Sequence, residues 1–327
     1  MRRRSLFAAT FALACLGVFV AAAPAAASFH RQQKLALAPG GELLVDAAGG
    51  SVTVTGGATD GATVVITSTR DDIETRYSFE LTSEPGRARV ISRRRGGSGW
   101  FQWFGWNNNG NLHFDVRVPR ETRANLKSSG GGIRLSGVKG NAKVRSSGGG
   151  LHIADIAGAV DASSSGGGVE VKQVRGDVLV SSSGGSVDVE QVTGDVTAES
   201  SGGGVDIAAV SGNVDASSSG GGVHVNGVGG RVTAESSGGS VSAVLAAGNA
   251  AGGSLSSSGG GVSVAIASKA RLSIDAYSSG GSVSCELPVQ RLGKQSRTAL
   301  RGDLNGGGAL LKLRSSGGGV HIDNSGG

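Results

Sequence analysis

Two groups of side chains stand where chemistry would be sought in this chain. The first is a series at a constant step. Arg134, His152, Glu170, Asp188, Asp206, His224 and Ser242 follow one another every 18 residues, each directly after an apolar residue, and the series runs on at longer steps through Ser263, Ser284 and His321. If each step closes one turn of a stacked coil, Glu170, Asp188 and Asp206 lie about 4.8 Å apart, flanked by the two histidines, a separation at which oxygen ligands can share a divalent cation. A solvated polar face alternating with valine produces the same series, and both readings stay open.

The second group lies in the stretch 93–111, RRRGGSGWFQWFGWNNNGN. All three tryptophans of the chain, Trp100, Trp103 and Trp106, fall within seven residues together with Phe101 and Phe104, shortly after Arg93, Arg94 and Arg95. Exposed rings of this kind stack on sugars or settle into a lipid interface, and neighbouring arginines favour anionic polymers or headgroups. These eight residues are the candidate contact with a partner, which would be an envelope glycan, an anionic surface or another protein. The alternative is that the rings fold back and plug the end of a hydrophobic core.

Little else points to catalysis. Ser164, Ser182 and Ser200 occupy one repeated position, with no histidine and acid beside any of them, and the five histidines are scattered. Polysaccharide-cleaving β-helices need convergent acids and bulky loops that shape a cleft, whereas most loops here are a few small residues. The chain reads as non-enzymatic and without a cofactor.

What must position these residues is a repeat. A Ser-Ser pair before glycine begins at Ser128, Ser146, Ser164, Ser182, Ser200, Ser218 and Ser236, a step of 18 kept six times, and recurs at Ser257, Ser278 and Ser315 after steps of 21, 21 and 37. A flexible linker has no reason to keep that register, whereas a coil returning above itself does. The unit reads S-S-G-G-(G/S)-V-x-V-x-x-V-x-G-x-V-x-(A/V)-x. Stacked, it yields apolar columns such as Leu151, Val169, Val187, Val205 and Val223, a second two residues later, a third from Val138 to Val228 and a fourth from Val160 to Val232. Polar residues sit between them, so each unit is two short strands with one face inward, and the glycines mark two turns.

The expected fold is therefore all-β, a parallel β-solenoid (β-helix) with about 18 residues per coil. About ten coils at roughly 4.8 Å would give a rod on the order of 50 Å. A narrow core also accounts for 4% aromatic residues and 60 glycines. Calcium-binding nonapeptide solenoids also turn in 18 residues but place an aspartate in both turns, and only Ser201–Asp206 approaches their unit. Residues 28–118 break the register: VDAAGGSVTVTGG is a degenerate unit, and TVVITSTR, YSFELTSE, RARVISRR and NLHFDVRVPR alternate like strands. An open solenoid end invites stacking, so this β-rich block is expected to be an N-terminal cap on the repeats of 119–327, which end in one more coil, LNGGGALLKLRSSGGGVHIDN.

Residues 1–27 have the layout of an export signal: Arg2, Arg3 and Arg4, an apolar run, then small residues before Ser28. Arg3-Arg4-Ser5-Leu6-Phe7 also fits a loose twin-arginine pattern. The mature protein is expected to be extracytoplasmic, in the periplasm, on the cell surface or secreted. Cleavage leaves Cys285 as the one cysteine, so no internal disulfide can form. Charge is uneven: residues 87–145 hold 13 Lys and Arg against 2 acids, and residues 151–250 hold 3 against 11. Such a basic end and acidic middle could favour head-to-tail self-association. Intracellular nucleic acid is not an expected partner of an exported chain.

The mature chain resembles the bacterial putative-adhesin family of β-strand-repeat proteins, a large group of domains of unknown function. The resemblance rests on VDAAGGSVTVTGG, on FDVRVPR before LKSSGGGIRL, on the tandem SSGGGV units and on the closing LNGGGALLKLRSSGGGVHI. It implies a solenoid fold and an extracytoplasmic setting, and it brings no catalytic residues. The functional expectation is an exported cell-envelope solenoid that serves as a structural or adhesive binding module. A periplasmic regulatory or stress-response protein that binds a partner through the same block is the alternative.

Overall fold

The structure, a computed structural model, describes residues 28–95, 111–246, 249–293 and 296–325. Its regular part is a parallel β-solenoid in which each repeat gives one strand to each of two sheets. Val178–Ser182 lies in one sheet, here sheet B; the Ser-Gly corner turns the chain into Val187–Val192 in the other, sheet A; and a second corner at 193–195 returns it to sheet B at Val196–Ser200. Equivalent residues of successive coils pair directly, Val178 with Val196 and Val187 with Val205. The valines of the expected columns are buried except Val283, which is half-buried, and one contiguous core extends from Leu35 to Ile322. Each buried valine contributes about 1.5–3 kcal/mol, but only when a neighbouring coil covers it.

Three local devices make the coil close. The spacing Val187, Val189, Val192 would turn the third valine outward in a regular strand, because side chains alternate with period two. One extra residue restores it: Asp155, Gln173, Gln191 and Ala209 stand at φ between 53° and 59°, stacked with Gly137 and Gly227 at φ 74° and 68°. Pairing skips this residue in each coil, as between Ala154↔Lys172 and Ile156↔Val174. It is a left-handed kink that every coil makes at the same level, so the ladder stays in register across it.

The second device is a serine rail. The first serine of each corner pair points inward and is buried. Ser182 Oγ donates to the Gly167 carbonyl of the preceding coil at 2.9 Å and accepts the Gly185 amide at 3.0 Å. Ser146, Ser164, Ser200, Ser218 and Ser236 repeat the pattern. The third device is close approach at both corners. A Cβ on Gly203 would lie 2.5 Å from the Ser186 nitrogen, and one on Gly158 2.7 Å from the Gly140 carbonyl. Neither glycine has a left-handed φ, so these corners need glycine for space between coils rather than for the backbone freedom of a turn.

Chain order and spatial order part company at both ends. RARVISRR and HFDVRV form one further parallel coil: Arg87–Arg94 pairs with Glu42–Ala47, and His113–Val118 with Ser51–Gly56. The degenerate unit is thus sandwiched between that coil and the first regular one. Beyond it, Phe29–Leu35 and Ala62–Ser68 extend sheet A antiparallel, and Tyr77–Glu84 extends sheet B antiparallel after one short helix, Ile73–Arg76. At the other end, the coil expected to close the rod does not lie last. Ala309–Ser315 and Val320–Asn324 insert between the coil of 253–266 and that of 272–285. The chain passes one level outward, adds the antiparallel strand Ala299–Leu304 and returns to fill the gap. The step of 37 residues between Ser278 and Ser315 records this excursion.

Candidate functional site

Arg93, Arg94 and Arg95 end the outermost parallel strand of sheet B, at the corner where the other coils carry the Ser-Gly turn. Ser92 pairs with Ala47 in the column that continues into Ser128, and its Oγ accepts the Ala48 amide at 3.0 Å, so the corner serine is kept. From there the chain departs from the repeat. Arg93 is exposed and its Nη1 meets Asp46 Oδ2 at 2.7 Å; Arg94 is exposed opposite Tyr77; Arg95 is exposed while its amide donates to the Arg76 carbonyl at 2.6 Å. Trp100, Phe101, Trp103, Phe104 and Trp106 lie outside the described residues. The chain is described again from Asn111, and Leu112 is buried against Gly50 at the start of the sheet A strand.

The end of the core beneath this corner is filled by other rings. Phe79 stacks on Phe29 at 6.0 Å and on Tyr77 at 6.4 Å, and meets the edge of Phe114 at 6.0 Å. Tyr77 and Phe114 are buried, as is Ile73 of the short helix. These residues went unremarked in the sequence reading. The signal for them was present in YSFELTSE and HFDVRV, where aromatics take the inward positions of an alternating pattern.

The polar series on sheet A is in register as expected, with Arg134, His152, Glu170, Asp188, Asp206 and His224 opposite one another. Several of its members are engaged by neighbours on the same face. His152 Nδ1 meets Glu170 Oε2 at 2.6 Å, and Lys172 Nζ, in the next outward column, meets Glu170 Oε1 at 2.7 Å. These hydrogen bonds, Lys172 first and His152 second, hold the Glu170 carboxyl below its ordinary value. Asp188 is pushed the other way: burial raises it, Lys172 opposes, and the charges of Glu170, Asp206 and Glu190 add to the rise. His224 Nδ1 meets Ser242 Oγ at 2.6 Å. Among the described residues no three His, Cys, Asp or Glu converge to hold a metal ion, because strand register spaces the carboxylates along a line instead of around a point. Cys285 is a free, half-buried thiol that burial pushes up, which leaves little thiolate at neutral pH.

No helix among the described residues is long and apolar enough to cross a membrane. No protein-family model matches the chain, and no curated protein matches it. Among solved structures it is similar to a putative adhesin from Bacteroides fragilis NCTC 9343, at 10% identity over 90% of this chain and 96% of that one, with a TM-score of 0.37. It is also similar to a putative lipid binding protein from Parabacteroides distasonis ATCC 8503, at 12% identity over 90% and 96%, with a TM-score of 0.31. A third is a putative cell adhesion protein from Clostridium sporogenes ATCC 15579, at 10% identity over 91% and 99%, with a TM-score of 0.23.

Proposed function

We propose that this chain is a non-enzymatic binding module of the bacterial cell envelope, exported by its N-terminal segment, in which the solenoid is a rigid scaffold and the 93–111 block makes the contact. The observation that carries the reading is the occupied core end. Phe29, Tyr77, Phe79 and Phe114 pack together there, which supports a contact role for the 93–111 block over a plug. Arg93, Arg94 and Arg95, exposed at the root of that segment, would direct it to an anionic glycan or headgroup, where aromatic and cationic contacts reinforce each other.

The test replaces Trp100, Trp103 and Trp106 with serine. Capture of the protein by purified envelope fragments is expected to be lost, with β-sheet circular dichroism and melting temperature unchanged. A variant that still binds, or that melts well below the parent, would return the loop to the core.

A further inference from the structure

Across the regular coils, the outward face of sheet B carries one large apolar residue, Leu179. In the column formed by the second residue of each strand stand Lys143, Asp161, Leu179, Thr197 and Asp215, paired in register. Leu179 is the one apolar member, and it is 52% exposed. The charges of the face change sign about it. Lys127, Lys143 and Arg145 lie on the strands before it, and Glu199, Asp215 and Glu235 on the strands after. Asp161 is the exception, and it is shared between Lys143 at 3.7 Å and Arg145 at 3.3 Å. On the basic side, Lys127 and Arg145 are direct neighbours in register, a like-charge contact that costs stability unless an anion faces it.

The order of strands makes the face self-complementary. Lys143 lies two strands before Leu179 and Asp215 two strands after; Lys127 lies three before and Glu235 three after. We propose that this face joins two copies of the chain about a two-fold axis that runs along the Leu179 strand. That operation reverses the order of the strands while keeping each column over itself. Lys143 of each copy then faces Asp215 of the other, Lys127 faces Glu235, and Leu179 meets Leu179. An open groove of about 640 Å³ beside Leu179, lined by Asn141, Ala159 and Asp177 among others, leaves room for the second leucine because Ala159 is small. A second copy is the occupant argued for because its rungs have the same pitch, so both charge pairs and the leucine contact are met at once, while Arg145 and Glu199 come to face Ser217 and Ser163.

One term opposes the pairing: at the corner column Asp177 of one copy faces Asp177 of the other. The face spans about 30 Å by 15 Å, on the order of 450 Å² per copy against the roughly 800 Å² of a standard interface, so the dimer is weak and sensitive to salt. The inference is independent of the loop's ligand, and each can fail without the other.

Sedimentation of the purified chain at low ionic strength is expected to show dimers at about 200 µM that dissociate in 0.5 M salt, about the limit at which charge pairing is screened. Leu179→Thr, the residue of the neighbouring coil, and Lys143→Asp are each expected to weaken the dimer by at least about tenfold. Lys143→Asp combined with Asp215→Lys in one chain restores it. Asp177→Asn, which keeps the acceptor that Asn141 and Asn213 use in the same column, tightens it. A monomer under all these conditions, a dimer indifferent to Leu179→Thr and Lys143→Asp, or a charge swap that fails to restore association would overturn the proposal, with unchanged circular dichroism showing that the variants fold.

Discussion

Asp188 and Glu170 are neighbours in one column, yet their surroundings push them apart. Glu170, lowered by Lys172 and His152, adds stability above the range in which an unfolded carboxyl titrates and loses it as pH falls through its folded value. Asp188, raised by burial and by its acidic neighbours, does the reverse: its contribution is present below that range and is lost as pH rises through its folded value. Asp188→Asn is therefore expected to raise the melting temperature at pH 7, with the gain vanishing under acid conditions where Asp188 holds its own proton. A carbon-detected NMR titration should find Asp188 protonating above the ordinary aspartate range and Glu170 below the ordinary glutamate range. A shift of either group in the opposite direction would overturn this account. The series itself was legible as an 18-residue step. That Glu170 is already engaged by Lys172 was not, because which of two outward columns a long side chain leans toward is settled only by the stacked strands.

At the scale of the strand and corner, the glycines and serines are as much a part of the core as the valines. Gly203→Ala drives a methyl into the backbone of the preceding coil, and overpacking of this kind costs about 1–3 kcal/mol. Ser182→Ala leaves the Gly167 carbonyl and Gly185 amide without their shared partner, a loss of about 1–3 kcal/mol for buried groups. Chemical denaturation of both variants should show these losses; a midpoint within error of the parent for either would remove that corner from the list of stabilising contacts. The Ser-Gly corners were readable in the repeat, but their reason was not. Composition suggests a turn needing glycine's freedom, whereas Gly203 and Gly158 are called for by the distance between coils. The left-handed kink at Gln191 had a signal, the three-residue step between Val189 and Val192, which a reading in columns passes over.

For the whole molecule, the inserted C-terminal coil changes which part should be most labile. A coil added last would fray first, but Ala309–Ser315 is flanked on both sides, by Gly253–Ser257 and Leu272–Ser278. Amide exchange of Leu311, Leu313, Val320 and Ile322 is expected to be as slow as that of Val187 and Val189 in the central coils, with faster exchange at Gln290 and Arg291 on the edge. Fast exchange at Leu311 and Val320 would mean that the coil is not interlocked. The same arrangement at the start, where Glu42–Ala47 lies between two later strands, gives both ends of the rod a level that cannot form until a distant segment has returned.

By itself the sequence determined the class of fold, the step of the coil and the identity of its inward columns. Those follow from local periodicity and from the need of each apolar stripe to be covered by the next copy. It also located the departure from the repeat at 93–111. Only the tertiary structure decided which coil lies beside which at the two ends, because once the 18-residue step is broken, any strand with a matching inward pattern can pair with any free edge. It decided as well that Tyr77, Phe79 and Phe114 fill the core end, and that Lys143, Leu179 and Asp215 share one face. Pairing register between segments far apart in sequence is a property of the assembled sheets.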